Sequence, residues 1–269
     1  MLDPRLDQGA GLRCQTPQAL PRLAALAGHG DVDTELPLLW ELGNALQSLG
    51  YRVAVLDATA HETPDAAGLQ DLLDGSATPD DTWDIDEPMG LCAFPAAGGL
   101  ALLSDETGQP GPAALARLAR ALRPYDIAIL YGHVPLLAAW ASHCIITPVL
   151  ATAPRQEGVL AAYRSLKSLS DAGVMPTVAS VVTRPGVATA GSAEAARANL
   201  ARCAQAWLGR QIEVLRVRAS LGNGRASAEI HRLALRLLEG ATTLVAESPH
   251  VFTPQAAGQG ILERPARSH

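Results

Sequence analysis

Short apolar runs alternate with helix-like segments along most of the chain, and this alternation restricts the folds that it can adopt. The runs have the length and composition of buried strands: "RLAALA", "YRVAVLDA", "LCAFPA", "YDIAILYG", "HCIITPVL", "TVASVVTR" and "IEVLRVRA". Segments with a helical spacing of apolar residues, such as "GPAALARLARALRP", lie between most of them. Strands that alternate with helices form parallel sheets. We therefore predict a single doubly wound, mainly parallel sheet with helices on both faces.

The chain is long and apolar enough to bury one sizeable core. It has 269 residues, of which 48% are hydrophobic and 18% are charged. We assign residues 21–245 to one α/β domain. Residues 1–20 are predicted to be an N-terminal segment with a linker. Residues 246–269 are rich in Pro, Gly and Ala and are predicted to be a flexible tail.

Charge and composition exclude several classes of function. The formal net charge of -6 argues against a protein that coats nucleic acid, because phosphate binding needs a basic surface. The four cysteines stand far apart without a CxxC pair, which suits idle thiols in a reducing compartment. The N-terminus lacks the pattern of a signal peptide, and no apolar run is long enough to span a bilayer. We expect a cytoplasmic protein that binds no nucleic acid and contacts membranes indirectly or not at all.

The turn after the first apolar run has the position of a phosphate-binding loop. In a unit of strand, turn and helix, a glycine-rich turn often cradles phosphate with backbone N–H groups at the helix N-terminus. Here the turn reads "GHGDVDTE", from Gly28 to Glu35, and is acidic. Its position therefore predicts a phosphate site, whereas its charge opposes one.

The order of elements and several local phrases resemble the MinD/ParA-type ATPases, which are P-loop proteins of the deviant Walker class. The phrases are "LGNALQSLGYRVAVLDA", "LQDLLDGSATPDD", "GLCAFPAAGG", "RPYDIAILYG" and "AAYRSLKSL". They follow one another in the family's order, over roughly residues 21 to 240. The resemblance implies a P-loop NTPase-like fold with its nucleotide site at the end of the first strand.

Compared with the family's loop, "GKGGVGKT", the turn has lost the residues that bind phosphate. His29 stands at the signature lysine, and Thr34 stands at the lysine that would reach the β- and γ-phosphates. Asp31 and Asp33 replace glycines whose backbone must approach the phosphates closely. Each carboxylate near a triphosphate opposes it by about 1 kcal/mol per pair of unit charges at about 4 Å in water. The positions that still match are Gly28, Gly30 and Val32.

The other catalytic positions of the family have changed as well. Asp57 is kept, but Thr59 stands where the family has the aspartate that orients the attacking water. Tyr131 replaces the metal-facing aspartate of Walker B, and Thr183 replaces an asparagine that contacts adenine. Phosphoryl transfer needs a positioned Mg²⁺ ion, a lysine and a water-orienting group. The resemblance thus implies a pseudo-ATPase without catalytic residues, cofactor or metal, and a degenerate nucleotide site of Gly28, His29, Gly30, Asp31, Asp33, Thr34, Asp57, Thr59 and Tyr131.

Some polar residues that follow the predicted strand ends have ordinary structural explanations. A carboxylate at a strand end, such as Asp57, often caps the following turn, and we prefer that role to metal binding. His29, His61 and His133 all follow predicted strand ends. A zinc site would need them to converge with a fourth ligand. We interpret them as polar loop residues.

The N-terminal segment carries a motif of one subgroup of this family. The sequence "DQGAGLR" is similar to "DQAxxLR", through which the flagellar-number regulators FlhG (also called FleN) engage the GTPase FlhF. The resemblance implies that Gln8 reaches toward the nucleotide site of the partner. It also implies polar contacts from both ends of the motif and an apolar anchor at its sixth position. The predicted partner-binding residues are Asp7, Gln8, Gly9, Ala10, Gly11, Leu12 and Arg13.

Two functions from different classes follow from these observations. The preferred one is a non-catalytic regulator of flagellar placement or number, which presents the N-terminal motif to an FlhF-like GTPase and stimulates its GTP hydrolysis. The alternative is a divergent MinD/ParA-like ATPase with an unconventional phosphate site, acting in cellulose secretion, pilus positioning or cargo partition. Calorimetry with ATP and Mg²⁺ discriminates between them. The sequence leaves open the oligomeric state and the binding of another small ligand in the remodelled turn.

Overall fold

One sheet organises the computed structural model, which describes residues 20–63, 67–76, 91–183, 190–220 and 226–245. Within these ranges, strands β1–β7 are parallel and lie in the order β3-β2-β4-β1-β5-β6-β7, and β8 pairs antiparallel with the start of β1. The predicted doubly wound, mainly parallel sheet is confirmed. The strands are β1 (Arg22–Gly28), β2 (Val53–Asp57), β3 (Cys92–Pro95), β4 (Ile127–His133), β5 (Val149–Thr152), β6 (Thr177–Val182), β7 (Val214–Arg218) and β8 (Thr242–Thr243).

Helices connect the strands and cover both faces of the sheet. None of the helices in the described ranges is both long and apolar enough to cross a bilayer. The predicted partner-binding residues 7–13 and the predicted tail 246–269 lie outside the described residues. The helices are α1 (Val32–Ser48), α2 (Leu69–Asp74), α3 (Ala97–Leu103), α4 (Pro112–Ala121), α5 (Val134–Cys144), α6 (Gln156–Asp171), α7 (Ala190–Cys203), which a π-helical turn (Ala204–Leu208) continues, and α8 (Ala228–Glu239).

Alternate residues of the central strands supply two separate core layers. In β1, Leu23 and Ala25 belong to one layer, whereas Ala24 and Leu26 belong to the other. Side chains of successive strand residues point to opposite faces, so each strand contributes to both layers. Helices α1 and α8 cover one face, and α2 to α7 cover the other. Burial on both faces explains why the strands read as continuous apolar runs.

Strand β4 lies between β1 and β2 and sets the geometry of the site. Tyr131 pairs in register with Leu26 of β1 on one side and with Asp57 of β2 on the other. Because all three strands run in the same direction, their carboxyl ends meet at one edge of the sheet. The turn that leads into α1 begins at the same edge.

The boundary of one predicted strand is wrong, and three elements are missed, namely α3, α5 and β8. The run "HCIITPVL" is a strand only from Val149 onward, because its first two residues end α5. Helix α5 is not predicted from the sequence. Six of its 11 residues are buried, including Trp140, so it lacks the one-sided apolar pattern of a surface helix. The missed strand β8 has only two residues.

Candidate functional site

The residues of the predicted degenerate nucleotide site lie where three strands meet the N-terminus of α1. Gly28 ends β1, Asp57 ends β2, and Tyr131 lies in β4 beside both strands. His29, Gly30 and Asp31 connect β1 to α1. Open α/β sheets bind ligands at this edge, outside the carboxyl ends of parallel strands.

A carboxylate of the chain itself, that of Glu35, occupies the turn. Glu35 belongs to the first turn of α1 and is only 1% exposed. Its Oε1 atom accepts hydrogen bonds from the backbone N–H groups of His29, at 2.7 Å, and Asp31, at 3.0 Å. Its Oε2 atom accepts a hydrogen bond of 2.7 Å from the Tyr131 hydroxyl. Backbone N–H groups of the kind that cradle phosphate at a helix N-terminus are therefore bonded to an internal anion.

Two glycines make this arrangement possible. A Cβ atom at Gly28 would lie 2.4 Å from Oε2 of Glu35, so any larger residue would displace the carboxylate. Gly30 has a φ of +95°, in the left-handed region that favours glycine. Both glycines match the family's loop in the sequence comparison. Here they shape a pocket for the side chain of Glu35.

The Tyr131 hydroxyl is held in its neutral form. Burial raises its pKa, and the hydrogen bond to Glu35 and the negative charges of Glu35 and Asp57 raise it further. The residue is 4% exposed. At neutral pH the hydroxyl is therefore protonated and remains a donor to Glu35. An aspartate at this position, as in Walker B, would instead place a second negative charge beside Glu35.

The His29 ring packs beside the same carboxylate. Its side chain is 8% exposed, and Nδ1 lies 3.7 Å from Oε1 of Glu35. Its Nε2 atom is buried and has no hydrogen-bond partner among the described residues. His61 and His133 are both exposed, and nowhere in the described ranges do three or more potential metal ligands gather. The expectation of no metal stays a prediction.

The two aspartates of the turn are directed to other partners. Asp31 accepts a hydrogen bond of 3.0 Å from the Thr34 hydroxyl and forms an ion pair of 2.5 Å with Arg155, which precedes α6. Because Arg155 is 56% exposed, this pair adds little stability. Asp33 is exposed on α1. The carboxylate bonded to the turn is thus neither of the two that the sequence comparison names.

Asp57 and Thr59 form a small turn of their own after β2. Oδ1 of Asp57 accepts hydrogen bonds from the Thr59 backbone N–H, at 2.8 Å, and from its hydroxyl, at 2.6 Å. This is the capping role expected for a carboxylate at a strand end. Thr183, the counterpart of the adenine-contacting asparagine, directly follows β6 and lies two strands away from β1.

The residues present at this site do not fit ATP and Mg²⁺. The sequence contains a single lysine, Lys167, which is exposed in the middle of α6 rather than in the turn. The Tyr131 hydroxyl donates to Glu35, whereas Mg²⁺ needs oxygen ligands that accept. The N–H groups of His29 and Asp31 are already bonded to Glu35. No step of phosphoryl transfer can be assigned to these side chains.

Sequence reasoning missed Glu35, the residue on which the site is centred. An acidic residue in the first turn of a helix is ordinary, because the helix dipole favours it there. The sequence does contain one signal for Glu35. Glu35 aligns with the final threonine of "GKGGVGKT", whose hydroxyl binds Mg²⁺ in P-loop proteins. Replacement of that hydroxyl by a longer, charged side chain is the feature that could have identified it.

Comparisons with known proteins support the fold. No protein-family model matches the sequence, and no curated protein matches it. Among solved structures, cobyrinic acid a,c-diamide synthase from Mycobacterium smegmatis, with bound ADP and magnesium, is 17% identical and has a TM-score of 0.52. That likeness covers 84% of this chain and 100% of the other.

A second solved structure, the MinC:MinD cell division protein complex of Aquifex aeolicus, is 12% identical with a TM-score of 0.50. The likeness covers 81% of this chain and 95% of that one. A ParA family ATPase from Chlorobium tepidum is also similar, at 14% identity and a TM-score of 0.47, over 81% of this chain and 99% of the other. The parallel sheet, its strand order and the two likenesses with TM-scores of 0.52 and 0.50 show that the chain has a P-loop NTPase-like fold.

Proposed function

We propose that this protein is a pseudo-ATPase, a regulator with the fold of the MinD/ParA-type ATPases that neither binds nor hydrolyses ATP. The observation that carries the proposal is the buried Glu35 carboxylate, which accepts hydrogen bonds from His29, Asp31 and Tyr131. An anion is already bound where a phosphate would have to enter. The absence of a lysine from the turn removes the positive charge that a triphosphate needs.

Electrostatics oppose ATP at this site. Two unit charges at about 4 Å repel by about 1 kcal/mol in water and by about 4 kcal/mol at the effective dielectric constant of a protein surface. A phosphate that entered the turn would be repelled by the carboxylate of Glu35. Displacing Glu35 would also break its three hydrogen bonds and force a buried carboxylate to find new partners.

Calorimetric titration of the full chain with ATP and Mg²⁺ tests this proposal. We expect no saturable heat from the wild-type protein. Thr34→Lys should give none either, because Glu35 still occupies the turn. Micromolar, Mg²⁺-dependent ATP affinity of the wild-type protein would overturn the proposal and support a divergent ATPase instead.

We further propose that the regulated partner is an FlhF-like GTPase, which the protein engages through residues 7–13. The support for this role is the sequence motif "DQGAGLR", which lies ahead of β1 and resembles the activating motif of FlhG. In this proposal Gln8 reaches toward the nucleotide of the partner, and Leu12 anchors the segment. The reaction stimulated is the GTP hydrolysis of the partner, so the α/β domain needs no nucleotide of its own.

The role is tested by GTP turnover of FlhF with three forms of the protein. The full chain should stimulate turnover, a truncated chain that begins at Pro21 should not, and Gln8→Ala should stimulate less while leaving thermal stability unchanged. If the truncated chain stimulates as well as the full chain, the motif is not the effector. That result would leave the pseudo-ATPase proposal standing, because calorimetry tests it separately.

A further inference from the structure

A groove runs along the last strand of the sheet, away from the degenerate nucleotide site. Strand β7 pairs with β6 on one side, and on the other side it pairs with no strand of the described residues. The groove has a volume of about 690 Å³, and its lining includes the consecutive residues 212–216, of which 214–216 are the first three residues of β7. Because successive strand residues point to opposite faces, a lining that includes three of them in a row means that the groove follows the backbone edge at the start of the strand.

Two helices form the walls of this groove. Helix α7 contributes four residues between Glu194 and Ala201, both included, and the start of α8 contributes Glu229 and Arg232. A strand at the end of a sheet has backbone N–H and C=O groups that can pair with an added strand. The consecutive lining residues 212–216 span up to about 17 Å at about 3.3 Å per residue of extended chain, which is enough for a short extended peptide.

Arginines from three elements line the groove and outnumber its glutamates. The arginines are Arg197, Arg216, Arg218 and Arg232, and the glutamates are Glu194, Glu213 and Glu229. The excess is one positive charge, and it is local, because the whole chain has a formal net charge of -6. A ligand that carries carboxylates would complement it.

Two of the arginines have unused capacity to bind an acceptor. Arg197 forms an ion pair with Glu194 at 3.2 Å through one terminal nitrogen. Its Nε atom is buried and has no hydrogen-bond partner among the described residues. Arg216 is exposed and forms no ion pair with any described carboxylate. Guanidinium groups bind carboxylates by charge-assisted hydrogen bonds.

We propose that this groove binds an extended acidic peptide of a partner protein, which adds to the sheet as a strand beside β7. Backbone hydrogen bonds to β7 hold the peptide, and its carboxylates pair with Arg197 and Arg216. The edge of a second copy of the sheet would bring its own flanking helices against α7 and α8, so a peptide is the better occupant.

The experiment uses the full chain and a fluorescein-labelled peptide of eight residues in which valine and glutamate alternate. Fluorescence anisotropy should show saturable binding. Arg216→Glu should weaken it by about tenfold or more, because it removes one charge pair and adds a repulsive charge. Arg123→Glu, in the turn between α4 and β4, is the matched control and should leave affinity unchanged, since Arg123 is also exposed and lies four strands away.

Two altered peptides separate strand addition from general electrostatic attraction. A peptide with lysine in place of glutamate should not bind. A peptide with proline in place of the two central valines keeps its charge but loses backbone donors, so it should bind at least about tenfold more weakly. The proposal fails if the valine and glutamate peptide shows no saturable binding. It also fails if the proline peptide binds equally well, or if Arg216→Glu has no greater effect than Arg123→Glu.

Discussion

Replacement of Glu35 by alanine tests the internal carboxylate most directly. The change removes the acceptor for the N–H groups of His29 and Asp31 and for the hydroxyl of Tyr131, and leaves the three donors in place. Because Glu35 is 1% exposed, its carboxylate is shielded from bulk water in the wild-type protein, and the three donors depend on it for their hydrogen bonds. We expect the variant to fold but to be clearly less stable.

The magnitude follows from the three abandoned donors. A buried donor that loses its partner costs about 1 to 3 kcal/mol. We take about 1 kcal/mol for each, because alanine leaves a space that water can enter, and expect a loss of about 3 kcal/mol in the free energy of unfolding. For a domain of this size, about 2 to 4 °C of melting temperature accompanies each kcal/mol, so the melting temperature should fall by about 6 to 12 °C.

Urea and thermal unfolding followed by circular dichroism measure this loss. Glu157→Ala is the matched control, because Glu157 also lies in the first turn of a helix but is exposed. It should cost less than about 0.5 kcal/mol, as expected for a surface substitution. Inorganic phosphate should raise the melting temperature of Glu35→Ala, because an anion that binds only the folded state stabilises it.

The wild-type protein should not respond to phosphate in this way, since Glu35 already fills the turn. Two results would refute the reasoning. One is a stability loss in Glu35→Ala no larger than that in Glu157→Ala. The other is equal stabilisation of the wild-type protein and the Glu35→Ala variant by phosphate.

Two further predictions concern ionisable groups. Tyr131→Phe should be about 2 kcal/mol less stable at pH 7, because Glu35 loses a donor to a charged acceptor. The pKa of Tyr131 is higher in the folded protein than in the unfolded chain. The stability that the Tyr131 hydroxyl contributes is therefore fully present below about pH 10, where the tyrosine is neutral in both states. This contribution is lost at higher pH, where the unfolded chain ionises first. The difference in the free energy of unfolding between the wild-type protein and Tyr131→Phe, measured by urea unfolding, should therefore decrease above about pH 10. Burial raises the pKa of the Cys144 thiol to about 11. Iodoacetamide at about pH 8 should modify the half-buried Cys203 well before Cys144, as mass spectrometry of peptides would show, and equal rates would contradict this.

The fold was largely predictable because buried parallel strands appear in the sequence as continuous apolar runs. The run from Ile127 to Gly132 is buried throughout, and it reads as an uninterrupted apolar strand. Helix α5 has no sequence pattern of comparable clarity. It is apolar on most sides, so its spacing resembles neither a surface helix nor a half-buried strand.

The site was predictable in its position but not in its chemistry. Strand ends place Gly28, Asp57 and Tyr131 at one edge, and sequence order alone predicts that edge. The hydrogen bond between Glu35 and Tyr131 joins residues 96 positions apart. Its existence depends on the register of β1 against β4, which the sequence pattern does not specify.

The Glu35 carboxylate is a ligand that cannot diffuse away. A free ligand occupies its site in proportion to its concentration, whereas a group on the same chain is always present at the high effective concentration that a short tether provides. Its binding also costs no loss of translational freedom, which a separate molecule would incur. The proposed function therefore implies that the occupancy of the turn is the same whether the surrounding solution is rich in ATP or in ADP. Under the proposed function, this edge of the sheet would be insensitive to the energy state of the cell, and any regulatory signal would enter the protein at another surface.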